Sequence, residues 1–189
     1  MTAPAAEPAR YGRPARTLHW TTAALLAVSI PVAVVLAWAP PADELKFRLY
    51  TLHESIGLTV WLLTLARLAW RLRHPPPPNP ALSPLVRRAS KTVHGGLYAC
   101  LLAMPLLGWA ANSALGFPPD FWWLVELPAI APAGKALGFF LLGAHKALGY
   151  AIVALLAAHV AGALWHHFVV GDDTLRRMLP PPRAGGRAN

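Results

Sequence analysis

The chain has 189 residues, of which 56% are hydrophobic and only 13% charged, and its formal net charge is +9. A water-soluble domain carries roughly a quarter charged residues, so the composition argues against an ordinary soluble fold. The positive charge gathers at the ends of apolar segments instead of forming a stripe, which argues against nucleic acid as a partner.

Residues 1–16, rich in Ala and Pro, are expected to form a flexible arm. The first apolar stretch, about 17–38, reads "TLHWTTAALLAVSIPVAVVLAW". Its Pro31 should bend a membrane helix without ending it. Arg10, Arg13 and Arg16 precede it and no small-x-small cleavage site follows, so it is expected to stay as a span and not to be removed as a signal peptide. The second stretch, about 50–72, leads into "RHPPPPNPALSPLVRR", a link that consecutive prolines should keep stiff and extended. The third, about 92–113, contains Pro105. The connection "SALGFPPDFWWLVELPAIAPAGK" is expected to lie along the outer interface as a short helix over the bundle mouth. The fourth, about 137–169, is the longest, and residues 171–189 read as a polar cytoplasmic tail that tapers into disorder.

Each stretch holds close to the ~20 apolar residues that cross a hydrocarbon layer of about 30 Å. The expected fold class is therefore all-α, an integral membrane four-helix bundle forming one domain over 17–170, with membrane lipid around it. Arg71, Arg73, Arg87, Arg88 and Lys91 load the second connection with positive charge, and both chain ends are basic. The positive-inside rule then places both termini and that connection on the cytoplasmic side of the inner membrane.

Depth sorts the histidines. His53 opens the second span and His145 the fourth, so both lie toward the outer side; His19 opens the first and lies toward the inner side. His159 follows His145 by fourteen residues, about 21 Å along a helix, and fourteen steps of about 100° bring it back to nearly the same face. Two levels result, each with two imidazoles on different helices. This suits axial ligation of iron porphyrins from both sides, His53 with His145 and His19 with His159. The single Cys100 leaves no CxxCH attachment, so any haem would be held non-covalently. A zinc or copper site would gather three or four ligands at one point. A haem-free bundle using its histidines as proton relays, a transporter, is the third alternative.

Gly57 and Gly149 each follow a histidine by four residues, leaving room for a flat ring or for close helix packing. Arg67, fourteen residues after His53, would pair with porphyrin propionates or snorkel to the interface. His94 and His166 stand nearer the cytoplasmic surface. They are the catalytic candidates, placed to hydrogen-bond a quinone head group and deliver protons, or else to sit hydrated among lipid headgroups.

The stretches "YGRPARTLHW", "LHESIGLTVWLLTLARLAWRLRHPPPP", "HGGLYACLLAMPLLGW", "HKALGYAIVALLAAHVAGALWHHF" and "DDTLRRML" occur in an order and spacing that resemble the bacterial cytochrome b-561 family. The resemblance runs from about residue 11 to 179. It implies four membrane helices, two haem b groups, and axial ligands at His19, His53, His145 and His159. It also implies electron transfer to or from the quinone pool, with ubiquinone as substrate. Some members are described as superoxide oxidases; others are haem-bearing anchor or acceptor subunits for a partner dehydrogenase. The outer connections here mix both signs, Lys46, Arg48, Lys135 and Lys146 against Asp43, Glu44, Glu54, Asp120 and Glu126, so no clean positive funnel for superoxide is evident.

Overall fold

The computed structural model describes residues 10–39, 41–77 and 82–180. Four long helices carry the fold: α1 Arg13–Trp38, α2 Asp43–Arg73, α3 Pro84–Leu115 and α4 Lys135–Trp165. All four are long and apolar enough to cross a membrane, α4 together with the turn that extends it to Val170. Pro31 and Pro105 sit inside α1 and α3 without ending them, since neighbouring groups in a bundle can satisfy the carbonyl that a proline leaves free.

The helices pack as an up-and-down bundle. One end, here the terminal end, gathers the start of α1, the α2–α3 connection and the segment after α4; the other holds the α1–α2 and α3–α4 connections. Ile56, Val60, Leu101 and Ile152 form a small buried apolar plug midway, flanked by Leu25, Leu26, Met104 and Leu156. Outward-facing positions are apolar as well, among them Val28, Leu62, Leu106, Phe139, Phe140, Val153 and Val160. So much exposed apolar surface would aggregate in water and is the proper face for lipid. Thr22, Thr59, Thr64 and Ser113 return their hydroxyls to the carbonyl one turn earlier, which satisfies them where no water reaches. Gly138 sets the α3–α4 crossing, because a β-carbon there would lie 2.6 Å from the Leu115 side chain.

Four segments differ from the sequence expectation. The α3–α4 connection is not a short helix but a hairpin of two-residue strands, β1 Asp120–Phe121 and β2 Val125–Glu126, paired antiparallel. Pro119 and Pro128 leave only residues 120–127 between them, and there Trp122 and Trp123 make a turn with left-handed φ of 53° and 57°, which a right-handed helix does not admit. The hairpin is pinned onto α2: Ser55 donates to the Asp120 carbonyl and accepts from the Trp122 N–H, while the Trp122 indole donates to Thr59. α1 begins at Arg13, within the expected flexible arm, with proline in its first turn; residues 1–9 lie outside the described residues. The first part of the expected tail, through residue 180, packs back onto the bundle, while the stretch into which disorder was expected to taper, 181–189, lies outside the described residues. In the α2–α3 link, the stretch from Pro84 is already helical, capped by Ser83.

Candidate functional site

At the hairpin end, His53 on α2 faces His145 on α4 with ring centroids 6.2 Å apart and planes at 80°. His145 Nδ1 lies 3.1 Å from the Met104 carbonyl, which can only accept, so the ring proton sits on Nδ1 and the Nε2 lone pair is free. His53 Nδ1 pairs with the Ser29 hydroxyl at 3.1 Å. Anchoring one ring nitrogen and leaving the other bare is how proteins prepare histidine for a metal. Gly57 has open space where a β-carbon would stand, whereas Gly149 faces the Met104 methyl at 3.3 Å. The first glycine leaves room beside the histidine; the second serves helix packing.

Toward the terminal end, His19 on α1 and His159 on α4 have centroids 6.0 Å apart at 74°. A third imidazole joins them: His94 on α3 lies 5.0 Å from His159, its Nδ1 held by the Ser90 carbonyl at 2.6 Å. Metal–nitrogen contacts are about 2 Å, so two imidazoles sharing one metal in line have ring centres roughly 6 Å apart. Both expected pairs meet that spacing, while His94 and His159 stand too close for it. Arg67 on α2 lies at this level, its guanidinium carbon 5.6 Å from the centre of the Tyr98 ring. Among the described residues no group of three or more His, Cys, Asp or Glu converges closely enough to hold a free metal ion.

His166 stands beyond α4 in a single π-helical turn, His166–Val170, a geometry that recurs at functional positions. Its Nδ1 meets Asp172 Oδ2 at 2.6 Å. It shares no hydrogen bond or ring contact with His94, so the structure does not bring the two catalytic candidates into direct contact. Burial raises the Asp172 pKa, but the Thr174 side chain and N–H and the His166 contact outweigh it and hold the carboxyl below its usual value.

The segment after Asp172 closes over the start of α1. Trp20 donates its indole N–H to the Met178 carbonyl and Arg16 donates to the Leu179 carbonyl, each at 2.8 Å. Arg177 is buried, donates to the Pro77 carbonyl at 2.6 Å and stacks on Tyr11. At the opposite end, Asn112 donates to Glu54, next in sequence to His53.

Sequence reading missed Ser29, the Met104 carbonyl, Tyr98, Asn112 and Asp172. Only Asp172 left a local signal, an acid immediately after a helix that ends in histidines. The others act across helix interfaces, and no spacing within one segment reports them.

The fold and the paired histidines define a membrane-spanning helical bundle equipped for cytochrome chemistry. The family described as Prokaryotic cytochrome b561 matches residues 10–181, and the chain belongs to that family. It is 32% identical over 173 residues to "Cytochrome b561 homolog 2" of Escherichia coli strain K12, covering 91% of this chain and 92% of the relative. "Cytochrome b561 homolog 1" of the same strain is 28% identical over 177 residues, covering 90% and 97%. "Probable superoxide oxidase CybB" of Yersinia pestis is 27% identical over 167 residues, covering 88% and 93%. Membership makes the chain a multi-pass inner-membrane protein of electron transfer with haem b as its cofactor.

Proposed function

We propose that the chain holds two haem b groups, one between His53 and His145 and one between His19 and His159, and passes electrons along the bundle to a quinone at the terminal end. The observation that carries this reading is the matched spacing of the two pairs, 6.2 and 6.0 Å, on facing helices at two depths. Bis-imidazole haem supplies reversible one-electron exchange without binding substrate at the metal. The protein's own part is to fix the imidazoles. Ser29 and the Met104 carbonyl orient the outer pair, and the apolar plug around Val60 and Ile152 keeps water from the space between the levels.

Arg67, half-buried near the inner histidines with no acidic partner among the described residues, is assigned to the haem propionates. His166, oriented by Asp172, and His94, oriented by Ser90, are assigned to the quinone: the first holds and moves a proton at Nε2, the second offers a hydrogen bond. The basic terminal end is the cytoplasmic one by the positive-inside rule.

Superoxide is a donor to consider because one relative bears the name of a superoxide oxidase. Glu54 and Asp120 lie near each other by the outer pair while Lys146 acts on His145, so the approach carries both signs and gives an anion no clean positive funnel, which favours a donor that needs no such steering.

The test is a haem-to-protein ratio with reduced-minus-oxidised spectra on the purified chain. Two b-type haems per chain are expected, with reoxidation by ubiquinone. A colourless protein, or one haem per chain, overturns the reading.

A further inference from the structure

Tyr98 stands one turn after His94 on α3, with its ring under the Arg67 guanidinium. Its hydroxyl is buried and has no hydrogen-bond partner among the described residues. Arg67 in turn meets the face of this ring and, among the described residues, no carboxylate. A half-buried cation and a phenol whose hydroxyl is buried therefore share one spot in the bundle, and among the described residues neither is matched by an acceptor. A buried donor left unmatched is costly, and native proteins rarely leave one so. What both donors lack is the same thing, an anionic oxygen acceptor supplied from outside the chain.

Given the two-haem reading, we infer that the Tyr98 hydroxyl donates a hydrogen bond to a carboxylate of the inner haem, completing with Arg67 a two-point anchor for the porphyrin's acidic edge. The division of labour follows from the chemistry. Arg67 offsets the negative charge, while Tyr98 adds a directional bond that fixes the rotation of the ring between His19 and His159. Hydrogen bonding to that carboxylate also draws electron density from the porphyrin edge. Tyr98 is thereby a positioning residue that raises the potential of the inner haem.

The experiment is Tyr98→Phe in the full chain, which keeps the ring and its contact with Arg67 and deletes the hydroxyl alone. Haem transfer to an excess of a soluble haem acceptor and a redox titration are followed on both haems. The expected result is roughly tenfold faster loss of the inner haem, as for removal of one hydrogen bond to a charged group, with its midpoint potential lowered and the outer haem unchanged. The outer haem serves as the internal control for folding. If Tyr98→Phe matches the wild-type chain in both inner-haem loss and potential, the hydroxyl does not contact the haem and the inference fails. A wild-type chain that carries no inner haem would defeat the two-haem reading itself, a separate result read before the variant is made.

Discussion

Gly108 on α3 and His145 on α4 meet so closely that a β-carbon on the glycine would stand 3.0 Å from the imidazole Cε1. Gly108 lies one turn after Met104, whose carbonyl holds His145 Nδ1 at 3.1 Å. The missing side chain is what lets the ring reach that carbonyl. Gly108→Ala should displace the imidazole by a few tenths of an ångström and shift the outer-haem spectrum and potential. Gly108→Val should remove most of the outer haem and leave the inner one, read as a haem ratio falling toward half.

The inner level offers three imidazoles for two ligand positions. Under the proposed two-haem reading, the 6.0 Å spacing of His19 and His159 against 5.0 Å for His94 and His159 favours the first two as ligands. His19→Ala and His159→Ala should each lose the inner haem and keep the outer. His94→Ala should keep both haems and slow quinone reduction by about tenfold. Loss of the inner haem in His94→Ala, with retention in His19→Ala, would reverse the assignment.

Asp172 fixes the ring of His166, and Asp172→Asn should preserve both haems while slowing quinone reduction by about tenfold. His166→Ala should be slower still. The pH dependence has a definite sign. A carboxyl whose folded pKa lies below its unfolded value, near 3.9 for an ordinary aspartate, stabilises the docked segment above that unfolded value. The contribution is lost as pH falls through the lower folded value. The segment should therefore stay docked across neutral and mildly acidic pH and release only in stronger acid, as measured by proteolysis after α4. In Asp172→Asn this acid-dependent step should disappear.

Arg176 and Arg177 are identical in type and adjacent in sequence, yet one is exposed and the other buried. Arg177→Ala should cost about 2 kcal/mol, the scale for losing a hydrogen bond made by a charged group, and should loosen the contact with Tyr11 and Pro77. Arg176→Ala, whose partner Asp173 is 3.4 Å away at the surface, should be near neutral. Thermal loss of the haem spectrum would separate the two.

Composition and hydrophobic length were enough to specify four membrane helices, because a bilayer admits backbone only when its hydrogen bonds close within the segment. Helical arithmetic alone placed His145 and His159 on one face, a consequence of fourteen residues making nearly four whole turns. Pairing them with His53 and His19 by depth was a further inference from sequence, and the short ring spacings in the bundle support it. The partners that orient those rings were beyond reach of any single segment. Ser29, Met104 and Gly108 act on histidines in other helices, and which faces meet is set by packing across the bundle. The same limit explains the α3–α4 hairpin and the ordered segment over α1: both are held by contacts to residues more than sixty positions away, Ser55 with Trp122 and Trp20 with Met178. Periodicity reads what one helix repeats along itself, and only the tertiary fold decides what stands opposite.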